Sequence, residues 1–183
     1  MNTDKIYLRD LAEKDWPLMM AWRSNPLVFE EGCYTQNKTL TWLEHVIWMR
    51  SRGPWWRFFV IMVSTTNLPE RAVGIINFGQ LDNWNTECNY YLGEISLWGQ
   101  GVAGEALSQA IKWLRLHGYC KLHTTMKDTN ARATSVLEKL GFRKAGKARV
   151  GESVWEIQWE EIDGSQEYTS GRKLFLPIEE IYK

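Results

Sequence analysis

Within WGQGVAGEAL, residues 98–107, three glycines fall at Gly99, Gly101 and Gly104 in the order G-x-G-x-x-G. The chain must bend sharply there and open directly into a helix, because Val102, Ala106, Leu107, Ala110, Ile111 and Leu114 recur at three-to-four spacing and Gly118 stands at a left-handed stop. The segment is a strand-to-helix junction. Glycines leave successive N–H groups uncovered, and these amides lie at the positive end of the helix dipole, so the bend suits an anion such as a diphosphate. A tight turn that only lets a strand enter a helix would need the same glycines.

Two familiar phosphate loops are excluded. A dinucleotide fingerprint belongs on the first unit of a βαβ series, with a carboxylate roughly 20 residues further on. Here the bend lies past mid-chain, and the segment from Tyr119 to Thr125 has no acid. The Walker loop requires a lysine after its last glycine, where this chain has Glu105.

The flanking pattern has an α+β order. Residues 6–9 read as a strand, and residues 13–24 as a helix that Pro26 stops. Thr41-Trp42-Leu43-Glu44 is a capping box opening a second helix, with Leu43, Val46 and Ile47 as its apolar face. Residues 56–63 and 72–78 form a hairpin across the polar segment 64–71, and residues 86–92 make a third antiparallel strand before the bend. Beyond the long helix come a strand at 121–126, a helix at 130–140, and two strands, 143–150 and 153–162, that turn at Gly151-Glu152.

A length of 183 residues with 44% hydrophobic content supports one domain, read as residues 1–163, with a tail at 164–183 whose role is not legible. The 22 basic and 22 acidic residues cancel, which argues against a nucleic-acid partner. Cys33, Cys88 and Cys120 are odd in number and not set beside the three histidines, so neither a disulfide framework nor a metal site is expected. The longest apolar run, 58–63, falls far short of the ~20 residues of a membrane span, and the first ten residues have no apolar stretch of the signal-peptide kind. A cytoplasmic protein with no membrane partner is expected. Eleven tryptophans read first as core, and the surplus leaves room for a homodimer.

Two ordered segments, Tyr91 to Leu107 and Thr129 to Phe142, resemble the GNAT superfamily of acetyl-CoA-dependent N-acetyltransferases, in particular the branch of ribosomal-protein N-terminal, spermidine and amino-sugar acetyltransferases. The family turn Q/R-x-x-G-x-G/A here reads Trp98-Gly99-Gln100-Gly101-Val102-Ala103, with Trp98 in place of Gln or Arg. The downstream element is Asn130 followed twelve residues later by Phe142 of a Gly-Phe pair, and Trp22-Arg23-Ser24-Asn25-Pro26 resembles a further segment of that branch. The resemblance implies a single domain with a mixed central sheet, antiparallel first strands, splayed strands at a cofactor cleft, and helices on both faces. It implies acetyl-CoA as cosubstrate, with its pantetheine arm on backbone groups of Tyr91, Leu92 and Gly93, its diphosphate on amides from Trp98 through Gly99, Gln100, Gly101, Val102 and Ala103 to Gly104, and a contact from Asn130. No metal is implied.

The reaction so implied is attack by a neutral amine, from a small molecule such as a polyamine or amino sugar or from a protein N-terminus. An alkylammonium of pKa ~10 needs a base at pH 7. Glu87 is the first candidate, with Glu94 and the pair Glu30-Glu31 behind it, and a strand amide between Leu92 and Glu94 is positioned to polarise the carbonyl. Many relatives place a tyrosine seven residues after the asparagine, where Leu137 stands, so the proton for the leaving thiolate falls to a hydroxyl such as Ser135 or to solvent. The acceptor pocket is expected from the early helices and the loop at 27–36, with Trp22, Glu30, Glu31 and Tyr34. An acyl-CoA-binding protein without turnover is the alternative, and Leu137 is the feature that supports it.

Overall fold

The computed structural model describes residues 5–32, 38–66, 68–81 and 86–159. In chain order the elements are β1 (Lys5–Asp10), α1 (Trp16–Arg23), α2 (Pro26–Gly32), α3 (Trp42–Arg50), β2 (Arg57–Thr65), β3 (Leu68–Gly79), β4 (Thr86–Leu92), α4 (Val102–Leu116), β5 (Lys121–Lys127), α5 (Ala131–Lys139), β6 (Arg143–Arg149) and β7 (Glu152–Gln158). The strands form one seven-stranded sheet in the order β1-β2-β3-β4-β5-β7-β6. All neighbours are antiparallel except β4 and β5, which run parallel.

Each face of the sheet carries its own core. On one, α4 and α5 lay Val102, Ala106, Leu107, Ala110, Leu114 and Leu137 against Phe59, Ile61, Ile76 and Phe78. Trp113 fills the centre of this layer, its ring centre 5.2 Å from that of Phe59 and 6.2 Å from that of Phe78. On the other face, Met19 and Trp22 of α1 and Met49 of α3 cover Val60, Met62 and Ile75. The expected α+β layout, with helices on both faces of a mixed sheet, is the one observed.

Three local readings change. Pro26 does not leave a loop behind it but begins α2, since proline lacks the N–H that a first helical turn cannot use. On α3 the capping box forms as expected, Thr41 Oγ1 accepting from the Glu44 amide at 3.3 Å. Yet Leu43 and Ile47 are 67% and 59% exposed, and it is His45 and Met49 that are buried. The last strand ends at Gln158, four residues before the expected limit at 162, while that limit and the expected domain boundary at 163 lie outside the described residues.

Candidate functional site

β4 and β5 share two register positions, Thr86 with Leu122 and Glu87 with His123. Both strands then continue, to Leu92 and Lys127, so past Glu87 they separate and the β5-facing edge of β4 has no strand beside it. A cavity of about 1220 Å³ opens along this divergence. It runs from the N-terminal turns of α4 and α5 to a wall formed by Arg23, Trp48, Arg52 and Trp56 on the opposite face of the sheet.

The glycine bend forms the first end. Gly99 and Gly101 have φ of 76° and 82°, left-handed values that suit glycine, and Gly101 caps α4. A Cβ at either would meet nothing within 4 Å, so the space above the bend is open. The first helical bond is donated by the Glu105 amide to Gly101 O at 3.0 Å. Among the described residues, the amides of Gly101, Val102, Ala103 and Gly104 have no protein acceptor, as a helix N-terminus dictates. Gln100 stands apart from this set: its amide donates to Leu97 O at 3.3 Å, its side chain donates to Ser96 O at 2.6 Å, and it does not line the cavity. The Trp98 indole donates to Leu92 O at 3.0 Å and carries the Arg132 guanidinium over its ring at 4.8 Å. Asn130 caps α5, its side-chain oxygen accepting from the Ala133 amide at 3.1 Å, and it lines the cavity together with Ser135.

At the apex of the divergence, Glu87 and Tyr91 line the cavity from β4. Gly93 does not, because it faces Trp22 so closely that a Cβ would stand 2.0 Å from the indole Cγ. Trp22 itself is 6% exposed and meets the Tyr91 ring edge-on at 6.5 Å, which makes it core. The amides of Gly93 and Glu94 both donate to Val73 O, at 2.9 and 3.2 Å, and are spent on the sheet. Glu30 is exposed on α2, where its backbone carbonyl accepts from Lys127 Nζ at 2.6 Å. The side chain of Glu31, and Tyr34 altogether, lie outside the described residues.

Residues not singled out from sequence also line this cavity. Tyr90 does so from the α4 side of β4, and its hydroxyl is buried without a hydrogen-bond partner. Burial, and to a lesser extent Cys88 beside it, raises its pKa, so it stays protonated. Leu137, seven residues after Asn130, is fully buried in the same core. The two-residue period of a strand is the signal that separates Tyr90 from Glu87 and Asn89. Asn77, paired across β3 and β4 with Asn89, is 5% exposed and presents a side-chain oxygen with no partner. His123 stands beside Glu87 in register, with Nδ1 buried and unpartnered. Among the described residues, no group of three or more His, Cys, Asp or Glu side chains is placed to hold a metal, and no helix is long and apolar enough to cross a membrane.

A family model described as an acetyltransferase (GNAT) domain matches residues 5–143. An uncharacterised protein of Methanocaldococcus jannaschii is 37% identical over 153 residues, which are 84% of this chain and 31% of that protein, so the chain spans about a third of the curated relative it matches. The crystal structure of a domain from the same organism superposes with a TM-score of 0.80 at 36% identity, covering 85% of this chain and 99% of that one. The fold is also that of a spermidine N-acetyltransferase from Vibrio cholerae solved with CoA and spermine, at a TM-score of 0.70 and 16% identity over 85% of this chain and 96% of that chain. The matched span contains the glycine bend, the diverging strands and the Asn130 helix, and the chain belongs to the GNAT acetyltransferase family.

Proposed function

We propose that this protein transfers an acetyl group from acetyl-CoA to a primary amine, borne by a small molecule or a protein N-terminus, with both substrates bound at once. The observation that carries the reading is the open glycine bend, with its four uncommitted amides, at one end of a cavity whose apex is lined by Glu87. Acetyl-CoA supplies the activated acyl group and a thiol leaving group. Its diphosphate suits the amides of Gly101 to Gly104, where helix-terminal donors bind anions without help from side chains. Its extended amide-bearing arm suits the β5-facing edge of β4 beyond Glu87, which has no strand beside it and can take a further strand-like partner. Asn130 and Ser135 flank that path from α5.

Glu87 takes the ammonium proton at the apex, as a carboxylate does when placed within reach of an amine. Tyr90 donates a hydrogen bond to the departing thiolate, and solvent supplies the proton. The Tyr90 hydroxyl is a buried, unpartnered donor on the α4 side of the cleft, and burial keeps it protonated. A cytoplasmic setting suits a chain whose Cys88 and Cys120 are buried thiols.

The alternative, a protein that binds acyl-CoA without turning it over, draws on Leu137 being core rather than a cleft hydroxyl. The purified chain is mixed with acetyl-CoA and a panel of primary amines, and free thiol is followed alongside acetyl-CoA affinity. Thiol release that depends on one class of amine is the expected result. Binding with no release under any amine favours the alternative, and absence of binding removes both.

A further inference from the structure

The wall opposite the glycine bend is cationic. Arg52 follows α3 and lines the cavity, with its guanidinium carbon 4.6 Å from the ring centre of Trp48 and 4.5 Å from that of Trp56. Its Nε donates to Trp48 O at 3.2 Å, and among the described residues no carboxylate forms an ion pair with it. Arg23 lies over the same Trp48 ring at 3.9 Å and brings a second positive charge to this wall. Among the described residues, the carboxylates that line the cavity are Glu87 at the apex and Glu105 on α4.

A guanidinium held against two indoles is fixed in plane, and its remaining N–H groups form a fork that matches an oxyanion bidentately. A half-buried charge without a counter-ion is costly, and an arriving anion relieves that cost. Asn77 adds an independent observation. It is buried on the same face of the sheet, and its oxygen, which only accepts, has no donor. Its complement is an O–H or N–H on the bound molecule.

Resting on the acetyl-transfer reading, we propose that the acceptor amine carries an anionic group, a carboxylate or a phosphate, that seats on Arg52, with a hydroxyl or amide donating to Asn77 between that group and the amine. A polyamine is a poor occupant of this wall, since it brings ammonium groups against Arg52 and Arg23, and like charges across an interface cost affinity.

Titration calorimetry on the full chain saturated with CoA tests this with two matched pairs, glucosamine against glucosamine 6-phosphate and methioninamide against methionine, with spermidine as the cationic control. The anionic member of one pair is expected to bind at least about tenfold more tightly than its counterpart, and the pair that shows the gap identifies phosphate or carboxylate. Arg52→Gln erases the gap, Arg52→Lys retains part of it, and both variants keep wild-type acetyl-CoA affinity, which also reports that they are folded. No gap in either pair, a gap that survives Arg52→Gln, or spermidine binding more tightly than every anionic probe overturns the proposal. Binding needs no turnover, so a gap without thiol release would leave the anion seat standing and remove the catalytic reading instead.

Discussion

The two ends of the cleft are made of different material. At the α4 end the polar groups are main-chain amides, and the requirement on the chain is a backbone shape set by two glycines with positive φ. At the α3 end they are side chains brought from Arg23 on α1, Trp48 on α3, Arg52 beyond it and Asn77 on β3. A main-chain site is local in sequence and tolerant of its surroundings, whereas a side-chain site exists only once distant elements pack. Substitutions that alter charge at the first end should therefore act on the cofactor, and those at the second on the acceptor.

The largest expected effect is at Gly101. A glutamate there places a carboxylate at the mouth of the amide cradle, and a like-charge contact of several kcal/mol lowers acetyl-CoA affinity roughly a thousandfold. Gly101→Ala separates charge from strain, because a left-handed alanine costs only about 1–2 kcal/mol and space for its Cβ is free. Calorimetric affinities near wild type for Gly101→Glu would show that the amides are not the seat of the diphosphate and would dissolve the contrast between the two ends.

Next in size is the apex where the ends meet. Glu87→Gln should lower kcat about a hundredfold while acetyl-CoA affinity is kept, the loss expected when a positioned base is neutralised. Tyr90→Phe should lower kcat about tenfold and Ser135→Ala much less, both read by initial rates of thiol release. If Ser135→Ala proved the more damaging, the hydrogen bond to the thiolate would come from α5 and the strand hydroxyl would be packing alone.

What could be read from sequence divides along the same line as the cleft. The α4 junction was legible because its glycines, its apolar spacing and the Asn130 cap are all local signals, each enforced by backbone geometry. That two strands splay apart followed from the resemblance, and the register places the gap between the parallel strands β4 and β5. The wall at Arg52 was not legible, since nothing in the spacing of residues 23, 48, 52 and 77 announces that α1, the end of α3 and β3 converge. α3 shows why: Leu43 and Ile47 look like its buried stripe, but tertiary packing selects His45 and Met49, and propensity within one helix has no knowledge of that choice. Pro26 misled for a related reason, because proline both ends one helix and begins the next.

The smallest expected effect uses His45 to ask whether the side-chain end also responds to pH. His45 is fully buried, and its Nδ1 lies 3.2 Å from a guanidinium nitrogen of Arg23. Burial first, and the Arg23 charge second, push its pKa down from 6.5 to about 4. The neutral ring therefore accepts from Arg23 across the physiological range. In the unfolded chain the same group takes its proton at the ordinary value of 6.5. As pH falls from there, the unfolded state binds a proton that the folded state refuses, so stability is lost progressively until about pH 4, where the folded ring also titrates and the loss from this group levels off. Urea midpoints taken at intervals between pH 7 and 4 should show this decline in the wild type and a flatter profile in His45→Gln. An identical slope in the variant would mean that the decline arises elsewhere. A flattened one would show that Arg23, and with it the face of Trp48 that Arg23 covers, is held in place by a ring that must stay uncharged, a dependence that main-chain amides at the opposite end do not share.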